Sequence, residues 1–412
     1  MNASLTLRLL STLLLAALLA APGARPAYAA GYVVNSLADN TSNDSQCTLR
    51  EAIQEANNGT DTDCPGSPSN ANDTITFSVS GTITLSSPLP AIVSGQGALT
   101  IDGGGSITVS GNNSVRVMVV NSGADLTLRN ITIANGSSGS GGGIYNAGTL
   151  TVTNSTFSSN SAIFGGGIYN ASGGTLTVTN STFSSNSADF GGGGGIYNAG
   201  GGALTVTNST FSSNSADSDG GGGIYNAGGG ALTVTNSTFS NNSADGGGGG
   251  IANAGTLTVT NSTFSGSSAS GPFGGGGIRN AGTLTLKNTL IANSTNGDCT
   301  NFGTVTTDSI NNLIENSGSN ACGLTNGTNG NIIGSDPDLG ALTGSPAYFP
   351  LLPGSPAIDK GDNATCAAMP VNNQSQNGVT RPVDGDMNGV AVCDIGAYER
   401  PLVKVYLPLI AR

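Results

Sequence analysis

Between Gly141 and Ser294, apolar and polar residues recur in one fixed order. A glycine run leads to an isoleucine, then Leu-Thr-Val-Thr-Asn, then Ser-Thr-Phe. The first copy, GGGIYNAGTLTVTNSTFSSNSA, spans Gly141–Ala162. Others follow at Gly165–Ala188, Gly191–Ala216, Gly220–Ala244 and Gly246–Ala269, and a worn copy runs from Gly274 to Ser294. The isoleucines after the glycine runs (Ile144, Ile168, Ile196, Ile224, Ile251, Ile278) are spaced 24, 28, 28, 27 and 27 residues apart, the signature of a structural repeat. In Leu150-Thr-Val-Thr-Asn154, Leu150 and Val152 alternate with threonines, which predicts a strand with one buried and one wet face. Asn and Gly permit a tight corner, including left-handed backbone, and Phe157 restarts the apolar face beyond it. Each unit therefore predicts three short strands, one coil of a helix of strands.

Coils stacked ~4.8 Å apart place equivalent residues in columns. Leu150, Leu176, Leu204, Leu232, Leu257 and Leu284 form one apolar column. Phe157, Phe183, Phe211, Phe239 and Phe264 form another, continued by Ile291. The Asn154, Asn180, Asn208, Asn236, Asn261 and Asn288 column is expected to point inward and bond along the axis as an asparagine ladder. Leucine-rich repeats have a similar period, but they need a helical return segment and an L-x-x-L-x-L spacing. The return side here is glycine and serine, poor helix material. The predicted class is all-β: a single-stranded right-handed parallel β-helix of ten or eleven coils, roughly 50 Å long at the sheet spacing.

Both ends of the array differ from it. Residues 1–29 read as a secretory signal peptide, with Arg8, the apolar run Leu9–Ala20 and an Ala27-Tyr28-Ala29 cleavage site. Strands are expected at Gly31–Ser36, Thr74–Val79, Thr82–Leu85 and Ala98–Ile101. Cys47–Asn57 predicts a helix opened by a Thr48/Glu51 capping box, with Leu49 and Ile53 on one face. A lone amphipathic helix before a β array reads as a lid on the first open coil. Cys47-Thr-Leu-Arg-Glu-Ala-Ile, followed by Asp73-Thr-Ile-Thr-Phe and Leu89-Pro90-Ala91-Ile92, resembles the CSLREA region that opens many secreted bacterial repeat proteins. Thr48 stands where that name has serine.

The repeats are similar to those of polymorphic outer-membrane proteins. Gly142-Gly143-Ile144 approximates their G-G-A-[ILV], and Phe157-Ser-Ser-Asn160 matches their F-x-x-N, as do Phe183–Asn186, Phe211–Asn214 and Phe239–Asn242. The likeness does not extend to their translocating barrel. Asp336-Pro-Asp-Leu-Gly340, Leu351–Asp359 and Cys393-Asp-Ile-Gly-Ala-Tyr-Glu399 resemble the choice-of-anchor Q domain. Val405-Tyr-Leu-Pro-Leu-Ile410 resembles the short Y-L-P-L-[IV] tails of other secreted bacterial proteins, and reads either as a sorting tag or as a last strand closing the cap. The expected organisation is a signal peptide (1–29), a CSLREA-type N-terminal cap (30–100), β-helix repeats (101–332), a disulfide-bonded choice-of-anchor Q C-terminal domain (333–400) and a tail (401–412).

Composition narrows the function. The 412-residue chain has 66 glycines, no tryptophan and no histidine, and 12 basic against 24 acidic residues give a net charge of −12. Loss of the signal removes Arg8 and Arg25 and makes it more acidic still. Nucleic-acid binding lacks a basic footprint, and serine nucleophiles lack a histidine base. Six cysteines allow fifteen pairings. They fall into three local pairs, predicting Cys47–Cys64, Cys299–Cys322 and Cys366–Cys393, formed outside the cytoplasm. After signal cleavage no transmembrane segment is expected, and the protein is placed outside the cell or on its surface.

The repeats offer few groups for chemistry. The charged residues between Gly141 and Ser294 are Asp189, Asp217, Asp219, Asp245, Arg279 and Lys287. Asp189, Asp217 and Asp245 are repeat-equivalent and would stack at one corner. They read either as a weak Ca²⁺ site or, preferably, as solubilising groups splayed into solvent. Tyr145, Tyr169, Tyr197 and Tyr225 form an outward column, readable as a sugar-binding platform or, preferably, as rings packing on one another. Each N-S-T is formally a glycosylation sequon, but its asparagine is expected inside the ladder. Parallel β-helices include polysaccharide lyases and hydrolases, which break the repeat with clustered, unlike side chains. This repeat is nearly uniform and offers no catalytic residue. The expected role is structural, adhesive or surface-interacting without catalysis, towards cell-surface or extracellular matrix components, polysaccharide among them. A carbohydrate-active enzyme or carbohydrate-binding protein is the alternative.

Overall fold

The computed structural model describes residues 31–58, 63–64, 72–217 and 220–402. The expected signal peptide, most of the C-terminal tail and Asp219 lie outside the described residues. The chain winds into a parallel β-solenoid of about nine turns, fewer than the ten or eleven expected. The shortfall arises because Gly31–Val34, Asp73–Phe77 and Ile332–Ile333 add rungs to the long sheet alone. Three parallel sheets of 20, 8 and 6 strands form the walls.

Register follows the repeat residue for residue. Leu150 pairs with Leu176, Phe157 with Phe183 and Ile144 with Ile168, and so on up the axis. The Phe157–Phe264 column is buried, its rings stacked at 4.5–4.9 Å and tilted by no more than 7°. Each buried phenylalanine stabilises the fold by roughly 1.5–3 kcal/mol. The glycine runs exist because this column needs room: a Cβ on Gly167 would lie 2.5 Å from the Gly195 carbonyl oxygen and 3.1 Å from the Phe183 ring.

The asparagine ladders are not where the sequence placed them. Asn154 sits at the corner between two strands with φ of 49°, and its side chain turns outward; Asn154 and Asn180 are exposed. The serine of N-S-T points inward instead, Ser181 Oγ accepting from the Ser155 N–H. Two other columns make the ladders. Asn146, Asn170, Asn198, Asn226, Asn253, Asn280 and Asn301 are linked amide to amide at 2.7–2.8 Å. Asn160, Asn186, Asn214 and Asn242 are linked at 2.9 Å, each also donating to a backbone carbonyl one coil back. A left-handed corner rotates its side chain away from the barrel, so period-two alternation does not carry through it. The argument that inward asparagines shield the sequons therefore fails for Asn154 and Asn180.

The N-terminal helix is Leu49–Asn58. Its capping box forms as expected: Glu51 Oε2 accepts the Thr48 N–H at 2.9 Å, and Thr48 Oγ1 accepts the Glu51 N–H at 3.2 Å. Leu49 and Ile53 are fully buried, and Arg50 ties the helix to Asp39 at 2.8 Å and to the Ser87 and Pro88 carbonyls. The disulfides are Cys47–Cys64, Cys299–Cys322 and Cys366–Cys393.

Beyond Gly334 the chain doubles back along the flank of the long sheet as a strap. Thr210 Oγ1 donates to the Ala347 carbonyl, Asn236 Nδ2 to Gln374 and Asn288 Nδ2 to Asp362, while the Ala397 N–H bonds Thr263 Oγ1. The outward positions Thr263 and Ser265 become Leu290 and Ala292 one rung later. There they join Leu313, Leu351, Ile358 and Ile395 in a second, smaller core under the strap.

Candidate functional site

The eight-stranded sheet carries the molecule's aromatic flank. In Ile144-Tyr145-Asn146 the isoleucine and asparagine point inward and are fully buried, so strand alternation turns Tyr145 outward. The same geometry stacks Tyr145 on Tyr169 at 5.3 Å and 8°, Tyr169 on Tyr197 at 5.0 Å and 9°, and Tyr197 on Tyr225 at 5.0 Å and 38°. The rings cover one another's faces, so the column presents ring edges and hydroxyls to a partner. Burial, then the neighbouring phenols Tyr225 and Tyr169, push Tyr197 up to about 12. It remains a neutral donor and acceptor at ordinary pH.

At one end the Arg116 guanidinium lies 5.4 Å over the Tyr145 ring, fixed by the Ser140 and Gly141 carbonyls and Ser138 Oγ. At the other end Ala252, Arg279 and Thr300 replace tyrosine in the column. Arg279 lies 5.4 Å over Phe302, which meets Phe273 edge-on at 6.1 Å. The adjoining corner adds Phe164, edge-on to Tyr197 at 5.5 Å, and Phe190. Phe190, Phe273 and Phe302 are 76%, 63% and 54% exposed, so these rings, unlike the tyrosines, offer open surface.

Asp189, Asp217 and Asp245 do stack at this corner, their N–H groups bonding to Ala162, Ala188 and Ala216 one coil back. All three are exposed, and Asp245 accepts from Ser270. Carboxylates converge elsewhere among the described residues: Asp359, Asp384 and Asp386 bring oxygens within 4.8 Å of one another. Asp384-Gly-Asp-Met-Asn-Gly389 has the D-x-D-x-N-G order of calcium loops, a signal the sequence reading missed. Its carboxylates are occupied by backbone donors: Asp359 accepts from Gly385 and Asp386, and Asp384 from Asn388 and Gly389. Burial, opposed by those hydrogen bonds and aided by Asp386, raises the Asp359 pKa. These three carboxylates could hold a hard divalent cation.

The right-handed β-helix region family model matches residues 71–239 and 166–336. The chain belongs to the right-handed β-helix family. Among solved structures, the pectate lyase Pel9A aligns with a TM-score of 0.43 and 15% identity, over 90% of this chain and 96% of that one. Jun a 1, the major allergen from cedar pollen, aligns with a TM-score of 0.34 and 14% identity, over 85% and 89% of the two chains. No curated protein matches the chain.

In this β-helix protein a cluster of buried charges fastens the strap. Arg381 is fully buried and donates to the Asp394, Gly396 and Tyr398 carbonyls, with Glu399 3.6 Å away. Glu399 accepts from Val383 and Asp394, and Asp394 accepts from Asp359 and Arg400. The Cys393–Glu399 motif is thus a clasp. Where the strap stands off the sheet, it leaves a groove of about 580 Å³ between Thr233, Thr258 and Thr285 and the segment Met369–Val371.

Proposed function

We propose that this right-handed β-helix protein is a secreted or surface-displayed protein that contacts cell-surface or extracellular material, polysaccharide included, through its aromatic flank and without catalysis. The observation that carries the reading is that Phe190, at a corner bordering the tyrosine column, and the edge-on pair Phe273 and Phe302, beside Arg279 at the column's far end, are all largely exposed. Most of the rest of the repeat surface is glycine, serine, threonine and asparagine, with Asp189, Asp217 and Asp245 exposed at one corner. Exposed rings grouped on an otherwise polar surface mark a contact site. Three disulfides and the CSLREA and choice-of-anchor resemblances support an extracellular setting.

A glycan-binding screen run beside a polysaccharide depolymerisation assay tests this. The expected result is binding that is lost in a Phe190→Ser/Phe273→Ser/Phe302→Ser variant, with no chain shortening. Binding unchanged by those substitutions would sink the aromatic assignment, and depolymerisation would favour the carbohydrate-active alternative.

A further inference from the structure

A different face of the barrel carries a pattern that the aromatic flank leaves unexplained. On the long sheet, the central outward position is threonine at every rung from Thr74 to Thr285, through Thr100, Thr127, Thr151 and Thr177. The inward leucine column is as regular, from Leu99 to Leu284, whereas the other inward column passes from Ile75 and Ile101 through Leu128 to valine at Val152–Val259 and then Leu286. From Thr149–Thr153 to Thr256–Thr260 the outward residues on either side are also only threonine or alanine. No charge stands on that area, in a chain of net charge −12.

The result is a two-dimensional lattice of hydroxyls and methyls, spaced about 4.8 Å along the axis and about 6.7 Å along the strand. Threonine is stiff at χ1, and the ladder beneath it is rigid, so the lattice is ordered before any partner arrives. Strand propensity alone would be met as well by valine, isoleucine or tyrosine, and does not select one residue at every rung. The strap borders this face at Asn154 and Asn180 and walls the groove at Thr233–Thr285, leaving the area around Thr151, Thr177 and Thr205 open.

A partner for this face must be uncharged, periodic in two dimensions and recognised by hydroxyls. A crystalline glycan presents ring faces, and the aromatic side chains that would stack on them lie on the other flank. Water itself meets every requirement: methyls order it and hydroxyls bond it. We propose that the threonine face of the long sheet binds ice.

The test uses the purified chain in two assays, uptake into a slowly growing ice front and inhibition of ice recrystallisation. The natural sequence is expected to enter the ice and to keep crystals small. Thr151→Lys/Thr177→Lys/Thr205→Lys is expected to lose both effects while keeping the natural melting temperature. The same sites changed to serine retain the hydroxyls without the methyls, remain folded, and are expected to lose most of the inhibition. Phe190→Ser/Phe273→Ser/Phe302→Ser keeps both effects, which separates this face from the aromatic flank. Exclusion of the natural chain from ice, undiminished inhibition in the serine variant, or capture by crystalline cellulose or chitin but not by ice would each overturn the assignment.

Discussion

At the scale of single residues, the asparagines show how far identical side chains diverge by position. Asn198 is fully buried and bonded to Asn170 and Asn226. Replacing it with alanine leaves the buried Asn226 Oδ1 without its donor, at a cost of about 1–3 kcal/mol, while Asn170 Nδ2 keeps the Gly174 and Ala203 carbonyls. Asn154 is exposed at a left-handed corner. Asn154→Gly keeps that conformation and is expected to leave stability nearly unchanged, whereas Asn154→Ala costs roughly 1 kcal/mol. Urea unfolding of the three variants checks the ordering. Both asparagines follow strand residues in the repeat, and only the turn of the backbone at the corner separates them. The threonines, leucines and phenylalanines behave as alternation predicts because they lie within strands.

Among the elements, the strap depends most on a few side chains. Its hold on the solenoid rests on Leu290 and Ala292, which replace threonine and serine, and on the buried Arg381. Arg381→Ala leaves Glu399 and Asp394 buried without their cation, a loss of about 3–5 kcal/mol. The expected readout is rapid proteolysis between residues 340 and 400, with the solenoid left intact. Equal protection in the variant would contradict the clasp. The change from Thr263/Ser265 to Leu290/Ala292 is visible in the sequence as apolar residues appearing on a face that should be wet. It announces a cover without saying which segment supplies it. The capping box was legible for the opposite reason, since all its partners lie within four residues.

For the molecule as a whole, buried carboxylates set the response to pH. Burial pushes Asp298 up to about 6, against hydrogen bonds from Asn316 and Ser294. Burial and Glu399 push Asp394 up to about 7. Both folded values exceed the unfolded value of 3.8. The folded state therefore binds these protons more tightly, and its stability falls as pH rises from about 4 to about 7. Asp39, Asp102 and Asp362 are shifted the other way, lowered by their hydrogen bonds and nearby cations against the opposing effect of burial. Their contribution is lost as pH drops below about 4. The melting temperature is expected to peak in mildly acidic solution and to decline on both sides. A flat profile from pH 5 to 7.5 would show that Asp298 and Asp394 are not buried as described.

The amino-acid sequence by itself determined the solenoid, its register and its columns, because a repeat stacked on itself makes every long-range contact a copy of a local pattern. The Tyr145–Tyr225 column and the Asp189, Asp217 and Asp245 corner follow from that arithmetic, as does the threonine lattice. Only the tertiary structure decided which way the corner asparagines turn, because a left-handed residue resets alternation. It also decided that residues 334–402 lie along the flank, and that Phe273 and Phe302 meet edge-on beside Arg279. These contacts join segments with no shared period, so nothing in the spacing of either partner announces the other.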